Sequence, residues 1–203
     1  METQERQPIP RIGDPAPDFK AVSTHGEITL SQYTKAGKWV MLFSHPADFT
    51  PVCTTEFIEF ARLTPEFEKR NVQLIGLSVD SIFAHLGWEQ NIEKNFGQKI
   101  PFPVIADRNM AVAALFGLIH PGASDTATIR AVFLIDPNGK VRFLIYYPLS
   151  MGRNSQELLR GQKGRSQSDR LVLFEEEDLI ALPLVIESSC HRVIEENTSP
   201  ALQ

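Results

Sequence analysis

The chain has 203 residues, 42% of them hydrophobic and 22% charged, with a formal net charge of −5. That length suits one well-buried domain plus an appendage, and the composition is that of an ordinary soluble protein. An acidic balance without clustered Lys and Arg argues against a general nucleic-acid or anionic-membrane binder, and two cysteines exclude a disulfide-rich scaffold and favour a reducing compartment.

From the N-terminus, Met1 to Arg6 carry no apolar core for a secretory signal. The longest apolar stretch, Ala111 to Ile119, is too short to cross a bilayer. We therefore expect a cytoplasmic protein with no membrane segment. Pro10 to Pro17 reads as an extended entry, Glu27 to Gln32 as a short strand or turn, and Trp39 to Phe43 as an apolar strand. Thr54 to Leu63 reads as helix. Asn71 to Asp80 is aliphatic and β-branched, the pattern of a buried strand. Ser81 to Phe96 spaces Ile82, Phe83, Leu86 and Ile92 among charges, which predicts an amphipathic helix. Phe102 to Ala106 is a brief strand, and Met110 to Phe116 a short helix stopped by Gly117. Two strands follow, Ile129 to Ile135 and Val141 to Tyr147, joined by the turn residues Asp136 to Lys140. Asn154 to Arg160 starts a helix. Strands alternating with helices and closed by a hairpin predict an α/β fold with a mixed central sheet flanked by helices.

After Arg160 the texture changes. Gly161 to Ser168 is polar and basic and reads as a linker, then come an acidic run, Glu175 to Asp178, and an apolar one, Leu179 to Ile186. The expected organisation is a catalytic domain over 1–160 and a C-terminal extension over 161–203.

The chemistry concentrates between the strand at Trp39 and the helix at Thr54. Cys53 falls in the first turn of that helix, where unpaired N–H groups and the helix dipole favour negative charge. Thiols so placed ionise more readily. Thr50 stands where the first cysteine of a Cys-x-x-Cys motif would be, so the site keeps a reactive thiol without a disulfide partner. This disfavours a dithiol oxidoreductase and suits attack on a small oxidant. Ionisation alone does not make attack on such an oxidant fast; fixed donors must stabilise the group that leaves. Thr50 is one expected donor. Arg130, interrupting the apolar run Ile129 to Ile135, is the candidate cationic one, against the alternative of a strand-end arginine reaching solvent.

Pro-x-x-x-Thr-x-x-Cys resembles the peroxidatic motif of peroxiredoxins. The longer string His45-Pro46-Ala47-Asp48-Phe49-Thr50-Pro51-Val52-Cys53-Thr54-Thr55-Glu56 resembles the peroxiredoxin-6-type branch. The likeness runs from about Arg11 to Arg160. It implies a thioredoxin-like fold and a thiol-specific peroxidase that reduces hydrogen peroxide and small organic hydroperoxides through a Cys53 sulfenic acid. It implies catalytic roles for Cys53, Thr50, Arg130 and Pro46, with Pro46 shielding the thiolate. Substrate binding falls to Arg130 and Thr50, with Arg153, in Gly152-Arg153-Asn154, matching a second arginine near the pocket. Glu56, a turn beyond Cys53, is a supporting candidate that can hold an arginine by a bidentate pair, or a solvated helix-face carboxylate. His45 stays outside the catalytic set.

No organic or metal cofactor is expected. The reductant implied is a thioredoxin-like protein or a low-molecular-weight thiol, and the assembly a homodimer or a ring of dimers, with Phe143 to Tyr147 a candidate pairing edge and the C-terminal extension a candidate dimerisation arm. Cys190 is a candidate resolving thiol, or a tail cysteine with no role. As a metal site Cys190-His191 lacks partner ligands at suitable spacing. No Gly-x-Ser-x-Gly pentad occurs, so the phospholipid hydrolysis of some relatives is not expected. A peroxide sensor or redox-controlled holdase using Cys53 is the alternative function.

Overall fold

A computed structural model of the chain describes residues 9–163. The strands are β1 (Lys20–Ser23), β2 (Gly26–Thr29), β3 (Trp39–Ser44), β4 (Val72–Ser78), β5 (Val104–Ala106), β6 (Arg130–Ile135) and β7 (Val141–Tyr147). The helices are α1 (Leu30–Lys35), α2 (Pro51–Lys69), α3 (Ile82–Phe96), α4 (Ala111–Phe116) and α5 (Ser155–Lys163). The strands form one sheet in the order β2-β1-β5-β4-β3-β6-β7. The β3–β4 and β4–β5 pairs are parallel, while β1–β2, β1–β5, β3–β6 and β6–β7 are antiparallel. This is the mixed sheet that the alternating strands and helices predict.

Period-2 alternation splits the core into two layers. Met41 and Phe43 of β3 and Val132 and Leu134 of β6 face a layer built with Phe57 and Phe60 of α2, Trp88 and Ile92 of α3, and Leu158 of α5. Val40, Leu42, Ala131, Phe133 and Ile135 face the opposite layer, with Leu30 of α1 and Val112 and Phe116 of α4. A central glycine sets the helix-to-sheet distance. A Cβ at Gly76 in β4 would come within 3.2 Å of the Phe57 ring, so the bare backbone lets α2 lie close.

Several elements depart from the sequence reading. The stretch read as a strand or turn at Glu27 to Gln32 holds the end of β2 and the start of α1. Thr29 caps α1 in a capping box with Gln32. The helix expected over Thr54 to Leu63 runs from Pro51 to Lys69. Pro51 sits at its first turn, where a missing N–H costs nothing, and Pro65 is carried within it. On α3 the buried face is His85, Trp88 and Ile92, whereas Phe83 is 82% and Leu86 39% exposed. Spacing of 3, 4 and 7 residues, not hydrophobicity alone, fixes that face. The predicted hairpin is present, with Gly139 at φ 73° and the Asp136 carboxylate accepting from the Asn138 and Lys140 amides. The expected linker at Gly161 to Ser168 opens inside α5, which runs to Lys163. The remainder of the extension, Cys190 included, lies outside the described residues.

Candidate active site

β3, an inner strand of the sheet, ends at Ser44, and a loop over 45–50 leads into α2. Ligand chemistry in such sheets gathers beyond the carboxyl ends of strands. Phe49 in this loop holds a left-handed backbone, φ 58°, a conformation rare outside glycine. Thr50 is the N-cap of α2 in extended geometry. Its hydroxyl donates to the Ala47 carbonyl at 2.9 Å and so closes the loop on itself. The expectation of Thr50 as a donor is thereby altered: its proton is spent, and its oxygen offers lone pairs. Pro46, half-buried, lies in the same loop.

Cys53 is the third residue of α2, in the turn whose N–H groups lack helical partners, and its side chain is wholly buried. Arg130 opens β6, the antiparallel neighbour of β3, and reaches across with its Nη1 3.4 Å from the Cys53 sulfur. The Arg130 side chain is buried at 3% exposure, not turned to solvent. Its Nε donates to the Leu149 carbonyl at 2.9 Å, and Nη1 also donates to Glu56 Oε2 at 2.5 Å. These bonds use Nε and Nη1 and leave the Nη2 amine for a ligand.

Glu56 is the hinge of the cluster and is buried, which rules out the solvated-carboxylate reading. Besides Arg130 it accepts from Arg153 through the backbone N–H (2.6 Å), Nε (2.9 Å) and Nη2 (3.0 Å), the last two forming the bidentate pair the sequence reading anticipates. Burial pushes the Glu56 carboxyl up, but the charge and hydrogen bonds of Arg153, then the charge of Arg130, outweigh it and hold it below the usual carboxylate range.

Arg153, expected on the substrate side, instead backs Glu56. Its Nη1 donates to the carbonyls of Ser44 (2.8 Å) and Ala131 (3.0 Å), and its guanidinium packs over the Phe43 and Phe60 rings at 5.4 and 5.5 Å. Two guanidiniums and one carboxylate leave this buried cluster one positive charge in excess. That excess favours an anion beside it.

A second buried network escapes the sequence reading. Asp48 Oδ1 meets His45 Nε2 at 2.8 Å, and Oδ2 meets His85 Nδ1 at 2.7 Å. The Asp48 amide donates to Asp80 Oδ2 at 3.0 Å. Burial pushes the Asp48 carboxyl up, but hydrogen bonds from both histidines and their charge bring it below its ordinary value. Burial lowers His45 despite Asp48 beside it. The potential ligand atoms of His45, Asp48 and His85 lie within 4.8 Å of one another, but both Asp48 oxygens and both His85 nitrogens already have partners, and of these atoms His45 Nδ1 alone has none. The clue in the sequence was His45 and Asp48 at a three-residue spacing; nothing local marks His85 as their partner. Trp88 ties the same helix to α2, its Nε1 donating to Thr54 Oγ1 at 3.1 Å.

The AhpC/TSA family matches residues 12–144 of the chain. A peroxiredoxin of Aquifex aeolicus is 52% identical over 190 residues, spanning 94% of this chain and 83% of that one. Two solved structures are similar. One is yeast mitochondrial 1-Cys peroxiredoxin, described for its thiol resolving mechanism via glutathione and thioredoxin systems. It has 44% identity and a TM-score of 0.68, with 74% of this chain and 73% of that chain covered. The other is a cysteine-to-serine mutant of peroxiredoxin 6 of Arenicola marina, with 38% identity, a TM-score of 0.70, and 75% and 72% covered.

Proposed function

The chain belongs to the AhpC/TSA family and is a thiol-dependent peroxidase of thioredoxin-like fold, taking a peroxide as substrate and electrons from a thiol, and from that premise we propose that Cys53 is its peroxidatic residue. The observation that carries the reading is the 3.4 Å approach of Arg130 Nη1 to the Cys53 sulfur inside a buried cluster of net positive charge. The thiolate attacks one peroxide oxygen. An S–O bond forms, the O–O bond breaks, sulfur is oxidised by two electrons, and the leaving hydroxide, or the alkoxide from an organic hydroperoxide, takes a proton to become water or alcohol. Arg130 Nη2 donates to the oxygen that gains charge. Thr50 Oγ accepts from the hydroxyl hydrogen of the attacked oxygen, since its own proton is held by Ala47. Glu56 and Arg153 hold Arg130 in place, and Pro46 shields the sulfur from bulk water.

An external thiol then attacks the sulfenic acid, releasing water and leaving a mixed disulfide, and a second thiol frees Cys53 as the reductant becomes a disulfide. A thioredoxin-like protein or a low-molecular-weight thiol fits this role, supported by the glutathione and thioredoxin systems named for the yeast relative. Among the described residues no helix is long and apolar enough to cross a membrane. We place the protein in the cytoplasm as a homodimer that pairs along β7, an edge of the sheet, and that extends to rings of dimers. The family comparisons favour the enzyme over a sensor or holdase. Stopped-flow peroxide consumption with a recycling thiol tests this: many turnovers per Cys53 are expected, and one stoichiometric oxidation followed by arrest overturns it.

A further inference from the structure

His85, on α3, is wholly buried, and both of its ring nitrogens face acceptors. Nδ1 lies 2.7 Å from Asp48 Oδ2 and Nε2 lies 3.1 Å from the carbonyl oxygen of Ile105 in β5. A backbone carbonyl has only lone pairs to offer, and a neutral imidazole has only one N–H. With Asp48 ionised, both contacts are made only if His85 carries two protons. His45 differs. Its Nε2 serves Asp48 and its Nδ1 has no partner, so one proton satisfies it.

Asp48 is therefore the joint between three elements. It is bonded to His45 at the end of β3, to His85 on α3, and through its amide to Asp80 just past β4. It sits in the loop that Thr50 closes through Ala47 and that delivers Cys53 at the start of α2. We propose that the Asp48–His85 pair is a positioning device for the peroxidatic thiolate, in which an imidazolium at His85 holds this loop, and with it Cys53, in the geometry that meets peroxide. The groups facing His85 are the Asp48 carboxylate, the neutral His45 ring at 6.0 Å between centroids, Asp80 behind Asp48, and Glu89 one turn along α3. Without the second proton one of the two His85 bonds cannot be made, and the loop is released from α3.

The proposal rests on Cys53 as the attacking thiolate, and its test separates the two. The second-order rate of Cys53 oxidation by hydrogen peroxide is measured against pH for the wild type and Asp48→Asn. The wild type should lose rate on the alkaline side. Asp48→Asn should be slower at pH 7 by roughly ten- to a hundredfold, the scale of misplacing a reacting group. Its alkaline limb should move to lower pH, because the carboxylate bonded to His85 Nδ1 is gone. A merely structural role would lower the rate alike at every pH, and that outcome, or an unmoved limb, overturns the proposal. Nitrogen-15 NMR of histidine-labelled wild-type protein needs neither the variant nor Cys53. His85 should show two protonated ring nitrogens near pH 7, and a neutral tautomer there also overturns it. Absence of any wild-type reaction at Cys53 would instead remove the peroxidatic assignment.

Discussion

Cys53 and Glu56, one turn apart on α2, share a single nitrogen between them: Arg130 Nη1 lies 3.4 Å from the sulfur and 2.5 Å from Glu56 Oε2. The carboxylate thus fixes the donor that the sulfur uses. Glu56→Gln replaces an acceptor that takes four hydrogen bonds with an amide and leaves two guanidiniums uncompensated in the core. It should destabilise the protein by about 3 kcal/mol, the scale of breaking a buried ion pair, as read from denaturant unfolding, and slow peroxide attack as Arg130 drifts. Because the folded Glu56 carboxyl ionises below its usual range, its contribution is present above about pH 4 and is lost on further acidification. The wild-type acid transition should therefore be steeper than that of Glu56→Gln.

Arg130→Met should leave the fold largely intact and slow peroxide attack by on the order of 10²-fold or more, the cost of a preorganised charge-stabilising donor. Thr50→Val should slow it as well, since the valine methyl cannot accept from the peroxide hydroxyl. Stopped-flow second-order rates check both. Values within a factor of about two of wild type for the pair would remove them from the pocket chemistry.

Glu89 gives the opposite pH dependence. Burial, partly offset by a hydrogen bond from Thr24 and by the charge of His85, raises its carboxyl to about 7. A carboxyl that binds its proton more tightly when folded stabilises the protein below its unfolded value of 4.5, and that contribution fades as pH rises through 7. Glu89→Gln should abolish the fade and be more stable than wild type at alkaline pH by roughly 1 kcal/mol, after allowing for solvent screening of a half-buried group. Thermal melts of both proteins at acid and alkaline pH measure this; equal Tm differences at the two would contradict it.

Cys190 separates an internal from an external resolution step. We propose that it competes with the external thiol for oxidised Cys53, since loop length adds only a logarithmic cost. Mass mapping after one equivalent of peroxide should then find a Cys53–Cys190 disulfide, within or between chains, and Cys190→Ser should accumulate sulfenic or sulfinic acid at Cys53. Normal recycling of Cys190→Ser, with no such disulfide in the wild type, would leave the external thiol as sole resolver.

What could be read from the residues follows from how local each signal is. The hairpin at Asp136 to Lys140 and the apolar run of β6 carry their geometry in adjacent residues, and Arg130 stood out because a charge interrupts that run. β1 was not legible: four residues, Lys20 to Ser23, mostly solvent-facing, show no apolar alternation. The extent of α2 was obscured by Pro65, ordinarily a stop signal, which the buried side chains on either side of it, Thr64 and Phe67, override. The buried face of α3 was misjudged because it contains a histidine where an apolar residue was sought. That histidine meets Asp48 across 37 positions, and no local pattern reports a contact of that range. Glu56 was legible as an arginine partner from its place a turn beyond Cys53, whereas its joining of two arginines needed the fold.

The most direct test is intact-mass and peptide mapping after one equivalent of hydrogen peroxide, in the presence of a sulfenic-acid trap. The account predicts one trapped adduct per chain, on the peptide containing Cys53, and none in Cys53→Ser, which should also stop consuming peroxide. Trapping on another residue, or sustained peroxide turnover by Cys53→Ser, would contradict it.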